Sequence, residues 1–129
     1  MGSDIEAARS SPPLGGTPTA GFAAALAAAA ARVQAGQRFL LAAHARLDGD
    51  ALGAMLVSAH GLRALGKQVY LYNPEPVPRR FRFLPGASEV RRRIPGELRF
   101  DATLIHDCGA RHLLGEGSPP PAVSGPLLV

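Results

Sequence analysis

Residues 38–73 have the pattern of a β-strand, an α-helix and a second β-strand, which constrains the fold more than any other feature. Residues 38–45 are an almost continuous apolar run, typical of a strand buried on both faces of a parallel sheet. Residues 51–65 repeat apolar side chains at helical spacing as far as Gly66, and residues 68–73 again favour a strand. Because such crossovers are right-handed, we predict two adjacent parallel strands in an α/β fold, with helices on both faces of the sheet.

Two further strands are predicted downstream. Residues 100–108 form an apolar run that ends at an aspartate and a glycine, and residues 125–129 resemble the opening of a fourth strand. Three prolines stop the second strand, at positions 74, 76 and 78. Between the second and third strands, residues 79–84 and 88–93 are predicted to be short helical segments, each followed by a Pro-Gly pair.

The chain of 129 residues divides into three predicted regions. Residues 1–20 are rich in Ser, Pro and Gly without an apolar period, so we expect a disordered tail. Residues 21–36 are rich in alanine and predict a helix that ends at Gly36. We expect this helix to pack on the sheet as an additional layer. Residues 37–129 form the α/β domain.

Composition limits the possible settings and partners. The net charge is +4, and 13 arginines against one lysine suit a phosphate-bearing partner, although a GC-rich genome produces the same bias. Cys108 is the sole cysteine, which excludes an internal disulfide and favours a reducing compartment. No apolar run approaches the ~20 residues of a membrane span, so we predict a cytoplasmic protein without a membrane partner.

His44, Asp48 and Asp50 lie at the turn between the first strand and the helix. In open α/β folds the ligand sites lie at the carboxyl ends of the strands, where the third strand also places Asp107. An imidazole with carboxylates suits a borderline divalent ion such as Mn²⁺, so the turn is a candidate metal half-site. In the alternative interpretation Asp50 caps the helix, Asp48 and Gly49 form the turn, and His44 merely ends the strand.

The other histidines and the cysteine are interpreted as structural. Strand alternation turns His106 away from Asp107, so it is expected to be packed or at the surface. His60 is expected to face solvent, His112 is only weakly favoured as a cleft residue, and Cys108 is expected to pack at the end of a strand.

Arginines form two basic clusters, at residues 79, 80 and 82 and at residues 91–93. Such clusters can steer a phosphate-bearing substrate, but a charge run on a short segment is more often a solvated face.

The order of these motifs resembles the N-terminal part of the DHH phosphoesterase family, within it the bacterial oligoribonuclease and 3′-phosphoadenosine 5′-phosphate (pAp) phosphatase branch. The resemblance covers residues 37–129. The matching features, in chain order, are His44-x-x-x-Asp48-Gly49-Asp50, the helix exit at residues 65–69, Asn73 with Pro76 and Pro78, the segment at residues 83–86, and Phe100-Asp101 leading to Asp107-Cys108-Gly109.

The resemblance implies a manganese-dependent hydrolase that uses two metal ions on short RNA or a nucleotide phosphate. His44 and Asp48 match the ligands of one ion, Asp50 matches a ligand of the other, and Asp107 matches a carboxylate that bridges both. No catalytic group separate from these ligands is implied, and no substrate-binding residue is identified.

The chain departs from the family pattern at three points. Leu47 stands where the family has proline, and Ala110 stands where a second aspartate is common. The Asp-His-His motif and the C-terminal substrate-binding domain are absent, so we expect a truncated domain with one ion or none and little activity of its own. An exposed sheet edge would then favour self-association or a homodimer.

Several functional alternatives remain open at this point. Outside the enzyme class, the chain could be a non-catalytic nucleotide-binding module or an inactive gene remnant. Within the family, it could belong to a single-strand exonuclease or a cyclic-dinucleotide phosphodiesterase.

Overall fold

A computed structural model of the chain describes residues 19–108 and 121–129. The described residues fall into two compact units, divided between Ala30 and Ala31. Helix α1 (Ala20–Ala35) begins where Thr19 Oγ1 accepts a hydrogen bond from the Phe22 backbone N–H at 3.3 Å. No residue of α1 is buried, and its large side chains Phe22 and Leu26 are 59% and 58% exposed. Val33, near the end of the helix, is partly buried and packs against the core of the second unit. Packing of the whole helix on the sheet stays a prediction.

Four parallel strands make up the sheet, which confirms the predicted α/β class. They are β1 (Arg38–Ala43), β2 (Gln68–Tyr72), β3 (Ala102–His106) and β4 (Leu127–Leu128), arranged in the order β2-β1-β3-β4. Five of the six residues of β1 are buried, as its continuous apolar run predicts for a strand with neighbours on both sides.

Helix α2 (Gly49–Ala64) covers one face of the sheet with the predicted apolar stripe. The buried residues of the helix are Ala51, Leu52, Met55, Leu56, Ala59 and Leu62. They pack against Phe39 and Leu41 of β1. The helix ends as Gly66 takes a positive φ of 76°, which lets the Lys67 N–H donate back to the carbonyl of Leu62 at 2.9 Å.

The opposite face is covered by a smaller cluster. Tyr72, Phe100 and Ile105 are buried there together with Leu40 and Ala42. Val123, in the short helix α3 (Pro121–Ser124), packs against the same cluster, so helices contribute to both faces.

The connection between β2 and β3 differs from the predicted short helices. Residues Arg79–Phe81 and Ala87–Glu89 form 3₁₀ turns of three residues each. Arg91 then runs parallel to β2, where its N–H donates to the Leu71 carbonyl at 2.8 Å and its carbonyl accepts from the Asn73 N–H at 3.0 Å. The helical prediction for residues 88–93 is wrong at Arg91 because the backbone groups on the outer edge of β2 provide nonlocal partners.

Candidate metal centre

Strand register places His44 beside Asp107. Strands β1 and β3 are adjacent and parallel, and Ala43 pairs with His106. The residues that follow these two, His44 after β1 and Asp107 after β3, therefore leave the sheet at the same edge. His44 Nε2 lies 3.5 Å from Asp107 Oδ2. This juxtaposition joins two residues that are 63 positions apart in the sequence.

Asp48 reaches the same place from the start of α2. Its Oδ1 accepts a hydrogen bond from the Ala51 N–H at 2.9 Å and so caps the helix. Its other oxygen, Oδ2, lies 3.7 Å from His44 Nε2. The alternative interpretation assigned the cap to Asp50, but Asp48 is the capping residue, and capping leaves one of its oxygens directed at the imidazole.

Together, His44, Asp48 and Asp107 present one nitrogen and two carboxylate oxygens within 4.8 Å of one another. Ligands about 2.1 Å from a common cation lie roughly 3–4.2 Å apart, so shifts of a few tenths of an ångström would bring all three into range. The carboxylates have room for that shift because their side chains are 52% and 57% exposed, whereas that of His44 is only 21% exposed. This donor set fits a divalent transition metal.

Asp50, the fourth predicted ligand, is placed differently. It lies in the first turn of α2 and is exposed. Among the described residues it does not belong to the group of three converging donors. The geometry thus brings together three of the four predicted residues, around a single position.

Asp107 has an unusual backbone. Among the non-glycine residues that the structure describes, it alone has a positive φ, of 52°. Aspartate tolerates this left-handed conformation better than most residues, but the conformation still costs free energy that the surroundings must offset. It turns the chain sharply at the end of β3, where the Asp107 carboxylate meets His44.

Asn73 supports the centre from the neighbouring strand, a role that sequence reasoning did not assign. Its side chain is fully buried, and Nδ2 donates to the carbonyl of His44 at 2.8 Å. Its Oδ1 accepts from the Glu75 N–H at 3.0 Å, which forms the turn after β2. The sequence signal for this role is the position of Asn73, between an apolar strand and Pro74. At such a position the side-chain amide can hydrogen-bond to the backbone of the following turn and of a neighbouring strand.

The remaining predicted residues fall outside this group. His106 is packed as expected, with Nε2 2.7 Å from Ser58 Oγ and Nδ1 3.3 Å from the carbonyl of Ala42. Burial lowers the pKa of His106, against the smaller opposing effect of that carbonyl. His60 is exposed and Cys108 is buried, both as expected, while His112 and Ala110 lie outside the described residues.

Comparison with known proteins identifies a structural relative. No protein-family model matches the chain, and no curated protein matches it. Among solved structures, the fold is similar to that of an exopolyphosphatase-related protein from Bacteroides fragilis, with a TM-score of 0.68 and 20% sequence identity. The match covers 74% of this chain and 30% of that protein, and at this identity it shows a common fold.

The described helices lack the features of membrane spans. Within residues 19–108 and 121–129, none combines the length and the apolar character that crossing a bilayer requires.

Proposed function

We propose that this chain contributes the metal-binding part of a cytoplasmic phosphoesterase that hydrolyses phosphoester bonds in short oligonucleotides or pAp. The observation that carries the proposal is the convergence of His44, Asp48 and Asp107 at the carboxyl edge of a parallel sheet. The structural relative, described as exopolyphosphatase-related, supports phosphate chemistry on this fold. The chain spans 30% of that relative, so the activity of a whole protein is part of the proposal.

His44, Asp48 and Asp107 would hold the first cation, for which Mn²⁺ suits the mixed nitrogen and oxygen donors. A bound divalent ion polarises a phosphoryl oxygen and makes water a better nucleophile at neutral pH. The Ala51 N–H occupies Asp48 Oδ1, which leaves Oδ2 as the binding oxygen. Asn73 orients His44 through its backbone carbonyl, so it is a positioning residue.

A second ion is proposed for the complete site, with Asp50 as one ligand and Asp107 shared. Asp50 is exposed and follows Asp48 by two residues. Two cations bridged by a carboxylate would neutralise charge on both the attacking and the leaving oxygen of the phosphate. This arrangement requires donors beyond the three that converge in the described residues.

A second candidate function is a nucleotide-binding module that holds one cation and does not turn over substrate. The observation in its favour is that three donors, not four, converge among the described residues. One imidazole and two carboxylates can hold an ion that bridges to a phosphate without activating water for attack.

Calorimetric titration with Mn²⁺ and hydrolysis assays on a dinucleotide and on pAp separate the two functions. For the 129-residue chain we expect one ion per molecule and slow Mn²⁺-dependent hydrolysis, both lost in Asp107→Asn. Asp50→Asn should keep both the ion and the slow hydrolysis, because Asp50 is proposed as a ligand of the second ion only. Binding without any hydrolysis assigns the second function, while two ions of comparable affinity with enzyme-like turnover would contradict the expected single ion. Absence of Mn²⁺ binding would overturn both functions.

A further inference from the structure

A groove lined with arginine lies on the outer side of β2, apart from the three metal-binding candidates. Its volume is about 370 Å³, and it is lined by Tyr70, Pro74 and the three consecutive arginines at positions 91–93. All three arginines are exposed, and none forms an ion pair with a described carboxylate. The side chains of Arg91 and Arg93 make no hydrogen bond to other described residues, so their guanidinium donors face solvent.

Arg92 joins this groove to a second one. The second groove has a volume of about 220 Å³, and its lining includes Arg82, Val77 and Val90 besides Arg92. Hydrogen bonds to the backbone hold both of its guanidinium groups, Arg82 Nε to the Val77 carbonyl at 3.1 Å and Arg92 Nε to the Pro74 carbonyl at 3.2 Å. The terminal nitrogens of both arginines are left to bind a ligand. We call the two grooves with their four arginines the arginine strip.

The arginine strip begins close to the metal centre. Pro74, at its near end, directly follows Asn73, whose side chain bonds the carbonyl of His44. Strand β2 is paired with β1, so its carboxyl end is the immediate neighbour of the strand end that carries His44. A ligand lying in the strip would therefore extend along the same edge of the sheet.

We propose that the arginine strip binds single-stranded nucleic acid, with guanidinium groups on the phosphates and bases on its apolar floor. The floor consists of Tyr70 and Pro74 in the first groove and Val77 and Val90 in the second. The floor is what favours nucleic acid over polyphosphate, because inorganic polyphosphate has no apolar part to place there. Tyr70 is held in position, since its hydroxyl donates to the Arg93 carbonyl at 2.6 Å, and it presents a ring in the first groove. Base–aromatic stacking together with arginine–phosphate contacts is the usual basis of sequence-tolerant single-strand binding.

Salt dependence gives the proposal a quantitative form. Four guanidinium groups can neutralise about four phosphates, which predicts a slope of log K against log salt of about −3 for a single strand. The arginine strip contains none of the three metal-binding candidates. The interaction therefore goes beyond the proposed hydrolysis and is expected to persist in EDTA.

Fluorescence anisotropy with a labelled single-stranded RNA of about eight nucleotides, measured in EDTA, tests the proposal. The double variant Arg91→Gln/Arg93→Gln removes two side chains that bond nothing else in the described structure, so folding is expected to be unaffected. It should weaken binding at least about tenfold and reduce the magnitude of the salt slope by about 1.4. Arg92→Gln, which also loses its bond to Pro74, should weaken binding about as much as one of those changes.

Arg32→Gln is the matched control for Arg91→Gln alone, because each removes one exposed positive charge, that of Arg32 from the last turn of α1. It should change the affinity less than about twofold. Equal weakening in Arg32→Gln and in Arg91→Gln alone would overturn the proposal, because binding would then reflect net charge alone. Unchanged affinity in the double variant would overturn it as well.

Tyr70 separates nucleic acid from polyphosphate. Tyr70→Leu should weaken RNA binding while Tyr70→Phe, which keeps the ring, should retain most of it. Polyphosphate at equal phosphate concentration should compete poorly. If polyphosphate competes as well as unlabelled RNA and Tyr70→Leu has no effect, the nucleic-acid assignment is overturned.

Discussion

Asp48 combines two functions in a single carboxylate. Oδ1 satisfies an N–H in the first turn of α2, and Oδ2 faces His44. Capping stabilises the helix with or without an ion, whereas the negative charge on the second oxygen matters most when a cation is bound. The two functions can therefore be separated by substitution.

Asp48→Asn should keep the helix cap and lose metal affinity, because asparagine caps as well as aspartate but carries no charge. We expect an affinity for Mn²⁺ lower by about a hundredfold or more, measured by calorimetry. Urea unfolding in EDTA should show little change for Asp48→Asn and a loss of about 1 kcal/mol for Asp48→Ala. Equal losses of stability in the two variants would show that Oδ1 does not act as a cap.

The sequence is informative about single residues where the geometry is local. His44 and Asp48 lie four positions apart at a recognisable turn, so their proximity could be predicted. Asp107 could be connected with them only through the expectation that parallel strands end at one edge. Asn73 could not be assigned a role, because its contact with His44 spans 29 positions and depends on the pairing of β1 with β2.

Short connections determine how the strands are held together. Gly125, between α3 and β4, has a φ of 64°, and a Cβ there would lie 2.8 Å from the carbonyl oxygens of Phe100 and Asp101. At this point the backbone of one connection packs directly on that of another, so no larger residue fits without movement of the main chain.

Gly125→Ala should lower the free energy of unfolding by about 1–3 kcal/mol, through the disfavoured φ and the close contact. Gly61→Ala is the matched control, because a Cβ added there, on the exposed side of α2, would meet no atom within 4 Å. That change should stabilise the protein by up to about 1 kcal/mol. Urea unfolding of both variants measures the contrast, and equal effects would contradict it.

Acid should weaken the start of the sheet through Asp101. Its carboxylate accepts hydrogen bonds from the Arg38 N–H at 2.9 Å and the Gln37 N–H at 2.7 Å, and these bonds lower the pKa of Asp101. The unfolded chain therefore takes up the proton first, so the contribution is complete above a pH of about 4 and declines as the pH falls further.

Asp101→Asn removes this titration. Urea unfolding should show the wild type more stable than the variant by about 1 kcal/mol near neutral pH, with the difference shrinking below a pH of about 4. Parallel stability curves for the two proteins across this range would contradict the assigned role of Asp101.

Elements were predictable where their apolar pattern is regular. The continuous apolar run of β1 and the helical spacing of α2 can be seen directly in the sequence, and the observed bounds of β1, α2 and β2 differ from the predicted ones by at most two residues. The arginine-rich segment after β2 has no apolar period. Arg91 adopts an extended conformation there because it hydrogen-bonds to Leu71 and Asn73 on the β2 edge, a nonlocal cause that local patterns do not contain.

The two outer edges of the sheet differ. Arg91 pairs with the outer edge of β2. No described residue pairs with the outer side of β4, where Leu127 and Leu128 are half-buried and Val129 is 82% exposed. Unpaired strand edges with apolar side chains favour association with another chain.

We therefore expect weak self-association through β4, seen in sedimentation velocity as a concentration-dependent shift from monomer to dimer. Val129→Lys should reduce it, because a charge beside an open edge opposes pairing. Val57→Lys is the control, since Val57 is also exposed, at 73%, but lies on α2. If both variants associate as the wild type does, β4 is not the contact.

The short bridge formed by Arg91 has a consequence for how many copies can join. A fibril needs two free edges per molecule, one to receive a neighbour and one to offer to the next. Arg91 bonds to the outer edge of β2 only at the Leu71 carbonyl and the Asn73 N–H, so it shortens the free stretch of that edge, whereas no described residue pairs with the outer side of β4. We therefore expect two copies that join at β4 to be favoured over a longer series of copies that would also have to join at β2.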